Sequence, residues 1–260
     1  REDELKGTVK LMFQPGEETG AGARVMIGDG VLENPHVDAA FAMHLQPTAE
    51  AGTVGWAPGV NSASLDSFIL KIHGKGGHSS QPQLCGDPVM VMNQVDQAVN
   101  LLASRETDPA AMVTLTCGVA KGGTAVNIIP SEAELHIGMR TLDVEACRRM
   151  TRRIPEVIDH YVNAWNAKYD LIHFHTPCTF SDDALCRRLL PSIQEIAGTD
   201  QVFQVPPMTA TEDFGYVTEQ VPGMLIFLGA GKPGNPPLHS PRMRLDETVL
   251  PTGAAIYAAA

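Results

Sequence analysis

At 260 residues, with 43% hydrophobic and 19% charged positions, the chain has apolar material for one long domain or two shorter ones, and its composition excludes disorder as the default state. A formal net charge of −11 with no long Lys/Arg block gives no basic footprint for a phosphate backbone, so nucleic acid is not an expected partner. No apolar run reaches the roughly 18 residues that cross a bilayer, so no membrane partner is expected either.

In chain order, Arg1–Leu5 reads as the charged end of a surface helix and as the opposite of a signal peptide. Thr8–Phe13 follows as a short apolar strand, Gly20–Gly28 carries helical spacing through Ala23, Met26 and Ile27, and Ala39–His44 reads as a second strand. This alternation predicts an α/β sheet whose strand-end loops carry the chemistry. Pro, Gly and small polar residues at Ala57–Asn61 mark a linker and a domain boundary. Beyond it come a strand (Ser67–His73), a helix (Pro88–Ala103), strands at Met112–Val119 and Glu132–Arg140, a helix (Val144–Ala164) and a strand (Tyr169–His175). That order, β-α-β-β-α-β, is ferredoxin-like. Met150, Ile154, Val157, Ile158 and Tyr161 support the second helix, and Pro155 is a site for a kink. After Pro177 the pattern gives helices at Asp183–Ala197 and Glu212–Glu219, a strand at Met224–Leu228, a Pro-rich loop and a final helix at Ala254–Ala260. The expected architecture is an α/β domain formed by residues 1–61 and 178–260 and interrupted by a ferredoxin-like domain at 62–177. Both ends read as cut from something longer.

The five cysteines, Cys85, Cys117, Cys147, Cys178 and Cys186, contain no C-x-x-C pair, so neither a disulfide framework nor a zinc ribbon is indicated, and a reducing cytoplasm is the simplest home. Glu17 and Glu18 follow a strand directly. Adjacent carboxylates there point in different directions, so one can hold a metal ion while the other serves as general base; alternatively they favour a helix N-terminus. His44 ends an apolar strand and is either a satisfied core histidine or a ligand. His239 stands in a loop stiffened by Pro236, Pro237 and Pro241. Two histidines and a carboxylate, each just past an apolar segment of one predicted sheet, are the donors a zinc- or manganese-type ion takes.

His78, among the glycines of Gly74–Pro82, is either an oxyanion donor or a solvated loop residue. No Gly-x-Ser-x-Gly elbow surrounds Ser79 or Ser80, which counts against a serine nucleophile. Asn127 and Arg140 suit a substrate carboxylate, or equally cap a turn and pair with Asp143. Gly229–Gly234 matches a dinucleotide-binding glycine pattern, but the prolines after it leave no helix for a pyrophosphate. Thr211-Glu-Asp-Phe214 reads first as a helix cap and only secondarily as pocket lining.

Taken together, Phe13–Glu18, Met43-His-Leu45, Gly76-Gly-His-Ser79, Val126-Asn-Ile-Ile-Pro130, Thr211-Glu-Asp-Phe214 and Leu238-His-Ser-Pro241 resemble the aminoacylase-type binuclear metallopeptidases. Hippurate hydrolases, N-acyl-amino-acid amidohydrolases and indoleacetyl-amino-acid hydrolases are the nearest subfamily. The resemblance implies that Glu17 is the general base, that Glu18, His44 and His239 are ligands in a site for two zinc or manganese ions, and that His78 acts from a lid domain, often across a homodimer. It also implies that Asn127 and Arg140 hold the substrate carboxylate. Family members carry His-x-Asp and Cys-x-His-Asp segments upstream of this region; neither is present here, which leaves at most three ligands and an expectation of weak metal binding. The leading expectation is hydrolysis of an N-acyl amino acid or short peptide. A non-catalytic dimerisation scaffold, a dipeptidase or a deacetylase are the rivals.

Overall fold

The computed structural model describes residues 6–260, so the expectation for Arg1–Leu5 lies outside it. The chain divides into one unit formed by Arg1–Ser62 and Pro177–Ala260 and a second formed by Ala63–Thr176. The first unit opens with helix α1 (Gly22–Gly28) and strands β1 (Ala40–Glu50), β2 (Val54–Trp56) and β3 (Gly59–Ser62); β3 falls where a linker was expected.

Thr8–Phe13, expected as a strand, joins no sheet. Its two-residue alternation nevertheless survives: Val9, Leu11 and Phe13 are exposed, while Met12 packs against the cluster around Ala23 and Phe214. Lys10 Nζ donates to the carbonyls of Val31, Glu33 and Pro35 at 2.8, 2.5 and 3.0 Å, using the three donors an ammonium has. Strand propensity describes fit to a pleated, half-buried surface, and it makes a strand only where a neighbouring edge accepts the ladder.

The second unit contains β4 (Ser64–His73), β5 (Gly77–His78), α2 (Pro88–Arg105), β6 (Val113–Gly122), β7 (Ile128–Ile129), β8 (Glu132–Thr141), α3 (Val144–Ala164) and β9 (Lys168–Thr176). Its four-stranded sheet has the order β6-β8-β4-β9, with every pair antiparallel. Alternation along β4 and β8 sends Phe68, Leu70, Ile72, Leu135, Ile137 and Met139 to one buried face. There they meet Val91, Val95 and Val99 of α2 and Met150, Ile154, Ile158 and Val162 of α3, which recur at helical spacing. Each such side chain contributes about 1.5–3 kcal/mol of burial. Asp87 and Asp143 cap the two helices by accepting the backbone N–H of Val89 and Ala146, both at 2.9 Å. Pro155 stands inside α3, which continues past it. The connection at Gly122–Pro130 is more than a hairpin loop, because β7 within it pairs with β5.

The chain then completes the first unit with β10 (Thr179–Ser181), α4 (Asp183–Ala197), β11 (Val202–Gln204), α5 (Gly215–Thr218), β12 (Gly223–Gly231) and α6 (Leu250–Ala259). The sheet order is β1-β12-β2-β11, with β12 parallel to β1, and β10 pairs separately with β3. Met224–Leu228 is an uninterrupted apolar run because both of its faces are covered. Met224, Ile226 and Leu228 pack with Cys186, Leu189, Ile193 and Ile256, and Leu225 packs with Ala23, Phe214 and Val217. The helix expected over Glu212–Glu219 is only the single turn of α5. Phe214 occupies its cap position in place of Thr211, and the Glu212 side chain accepts the Phe214 N–H at 3.2 Å. No helix among the described residues is long and apolar enough to cross a membrane.

Candidate active site

Glu17–Thr19 form one 3-10 turn bracketed by Gly16 and Gly20, whose φ angles of 62° and 64° are the left-handed values that favour glycine. Gly22 is required nearby, since a Cβ there would stand 1.4 Å from the Pro15 carbonyl oxygen. This tight doubling of the chain accompanies a close grouping of Glu17 with Glu212 and Asp213, whose carboxylate oxygens lie within 4.8 Å of one another. Asp213 is buried and accepts the Ala23 N–H at 2.9 Å and the Gln14 amide. The backbone carbonyl of Glu212, also buried, accepts the Thr179 hydroxyl at 3.1 Å.

Burial pushes the Glu17 carboxyl up to about 7; the charges of Glu212, Glu18 and Asp213 add to the rise and His44 opposes it. Burial also raises Glu212 and Asp213 above the ordinary carboxylate range. His44 lies on β1 opposite Phe227, with Nδ1 2.8 Å from the Leu45 carbonyl. A carbonyl only accepts, so Nδ1 carries the proton of the neutral ring and Nε2 keeps the lone pair a metal ion would need. His239 has a φ of 64°, a left-handed value uncommon for a residue with a Cβ, and its Nδ1 stands 3.6 Å from Glu18 Oε2.

The expected ligand trio is therefore not assembled as one group among the described residues: Glu18 meets His239, while His44 acts electrostatically on Glu17 and Glu212. Gln14 was not singled out as a member of the site, and Glu212 and Asp213 were expected to line the pocket only as a secondary reading. The signal available for the last two was an acidic pair shortly before an apolar strand, read first as a cap. Carboxylate oxygens and imidazole nitrogens suit a divalent ion of the zinc or manganese class. Burial opposes the ionisation of all three carboxyls, and neighbouring carboxylates add to this at Glu17 and Glu212, so the group gathers negative charge that a cation would relieve and the donor set fits such an ion.

In the second unit, the Ser80 N–H donates to His78 Nδ1 at 3.1 Å, which leaves the proton of the neutral ring on Nε2 as a hydrogen-bond donor. Ser79 N–H donates to the Asn127 carbonyl at 3.1 Å, so His78 and Asn127 are neighbours beside an open cavity of about 430 Å³ lined by Gly77, Thr124 and Ile128. Arg140 is not with them. It stands near the far end of β8, and at about 3.3 Å per residue it lies roughly 26 Å along the strand from Glu132.

The profile of peptidase family M20/M25/M40 matches residues 1–260. An IAA-amino acid hydrolase ILR1-like 4 of Arabidopsis thaliana is 34% identical, over 99% of this chain and 60% of its own length. An N-acetyl-L-cysteine deacetylase of Bacillus subtilis is 33% identical, over 96% of this chain and 59% of its own. The crystal structure of a dinuclear metal-binding peptidase of the M20 family from Bacillus subtilis superposes with a TM-score of 0.72 at 27% identity, covering 95% of this chain and 62% of that one. The chain thus spans about 60% of the length of the curated relatives it matches.

Proposed function

The chain belongs to peptidase family M20/M25/M40, and on that premise we propose that it is part of a metal-dependent amidohydrolase that releases an amino acid from its N-acyl derivative. The observation that carries this reading is the convergence of Glu17, Glu212 and Asp213 beside the Glu18–His239 contact. The names of the hydrolase and deacetylase relatives, both of which act on N-acylated amino acids, favour that substrate class over an unblocked peptide.

In this reading Glu18, His44 and His239 hold divalent metal, two ions of zinc or manganese in the complete protein. When bound, the metal supplies Lewis-acid polarisation and activation of water. Glu17 takes the proton from the attacking water and passes it to the leaving nitrogen. Glu212 and Asp213, fixed by Phe214, Ala23 and Gln14, set the charge around Glu17. His78 donates from Nε2 to the oxyanion, with Ser80 holding its other nitrogen. Asn127 and Arg140 recognise the substrate carboxylate.

The second unit, a ferredoxin-like lid, also serves as the homodimer contact. The separation of Arg140 from His78 and Asn127 along β8 supports this, since one lid cannot bring both ends of its sheet to one small carboxylate. Two copies can share the work, one contributing Arg140 and the other His78 and Asn127. The test is amino-acid release by the metal-loaded full-length protein from a panel of N-acyl amino acids set against unblocked dipeptides. Cleavage of the acylated panel is expected, and cleavage of dipeptides alone would reject the substrate assignment.

A further inference from the structure

We propose that Asp66, His173 and His175, with Cys147 beside them, form a second metal-ion site inside the Ala63–Thr176 unit, separate from the Glu17 region. His173 and His175 are two residues apart on β9 and so project to the same side of the sheet. The ladder with β4 pairs His175 with Asp66 and His173 with Phe68, whose ring stacks on His173 at a centroid distance of 4.2 Å. Both histidines therefore converge on one carboxylate. His173 Nε2 lies 2.8 Å and His175 Nδ1 2.9 Å from the same oxygen, Asp66 Oδ1. On the other oxygen, Cys147 Sγ from α3 approaches to 3.4 Å, and Thr151 Oγ1 stands 3.4 Å from Oδ1.

The chemistry of the group is that of a transition-metal site. Two imidazole nitrogens, a carboxylate oxygen and a thiol sulfur are the donors zinc, cobalt or nickel takes, and the soft sulfur and two nitrogens disfavour magnesium and calcium. The nitrogen and oxygen donors already lie within 4.8 Å of one another. Metal–ligand bonds of about 2.0–2.3 Å need donor separations of about 3.3–3.6 Å, so each imidazole has to draw back from Asp66 by only about half an ångström. Asp66 itself is fully buried, whereas the side chains of His173 and His175 remain 29% and 36% exposed, so the two rings are open to solvent in part. On binding, each neutral ring moves the proton now directed at Asp66 to its other nitrogen by exchange with solvent, the Cys147 thiol releases its proton to solvent, and the divalent charge is balanced by one carboxylate and one thiolate. Nothing in the proposed hydrolytic reaction uses these residues, so the inference does not depend on that reading.

The test is a Co2+ titration of the metal-stripped protein carrying Glu18→Gln and His239→Ala, which removes two ligands of the other site. The expected result is the intense visible spectrum of four-coordinate cobalt with a near-ultraviolet thiolate charge-transfer band. Cys147→Ser should abolish that band and weaken binding at least tenfold, while adding His173→Gln and His175→Asn should abolish uptake. These two replacements keep an N–H donor for Asp66 and so preserve its hydrogen bonds. Unchanged uptake in the His173/His175 variant would overturn the proposal. If that variant does not fold, imidazole nitrogen resonances in the unsubstituted unit decide: shifts of both rings with one equivalent of Zn2+ support the site, and unmoved rings refute it.

Discussion

Glu17 and Asp66 are carboxylates in opposite situations. Glu17 is only half-buried, yet its carboxyl is pushed up to about 7, because burial, Glu212, Glu18 and Asp213 all act against its charge. Asp66 is fully buried, and burial alone would raise it further, but the hydrogen bonds from His173 and His175 outweigh that effect and hold it below its ordinary value. The sign of the neighbours decides the outcome over depth of burial. One carboxylate is crowded by its own kind and suited to exchanging a proton; the other is matched by nitrogen donors and fixed in place.

The largest effects expected from breaking this contrast are catalytic. Glu17→Gln should lower kcat by about 10³-fold and His78→Ala by about 10²-fold, the usual contributions of a general base and an oxyanion donor, measured with the metal-loaded full-length protein. If His78 acts across a dimer, a random mixture of the two variants should recover about a quarter of wild-type turnover, because one of the two sites in each mixed dimer is intact. A mixture as inactive as its parts would confine His78 to its own copy. Asp66→Asn should come next. It replaces the charged acceptor of both histidine hydrogen bonds with a neutral amide and should cost about 2 kcal/mol, read from chemical denaturation followed by a probe in the second unit. The smallest effects are the controls: Asp87→Ala in the second unit and Asp182→Ala in the first each remove a helix cap and should each cost about 1 kcal/mol, with no change in kcat.

The second unit was the more legible of the two in the sequence. Val144–Ala164 and the strand at Glu132 carry strong periodicities, and each element buries one face against its immediate neighbours. The short strands β2, β3, β10 and β11, of three or four residues each, carry too little pattern to declare themselves. Thr8–Phe13 shows the converse, since a correct alternation did not become a strand: among the described residues it pairs with none. Within the candidate site, Glu17, Glu18, His44 and His239 stood out because each reads as polar beside an apolar segment, although His44 lies inside β1 and does not end it as expected. Asp213 did not stand out, because its role depends on contacts with Gln14 and Ala23, 199 and 190 residues away in the chain. The Asp66 cluster was hidden for the same reason: strand register across more than a hundred residues creates it, and neither partner has a local signature.

The central claim divides labour between adjacent carboxylates, Glu18 holding metal and Glu17 moving the proton. The measurement that tests it most directly is metal content and amino-acid release in the same samples of full-length protein carrying Glu17→Gln or Glu18→Gln. The account predicts that Glu17→Gln keeps its divalent ions and loses turnover, whereas Glu18→Gln loses metal and turnover together. Full turnover by the Glu17→Gln protein would contradict it.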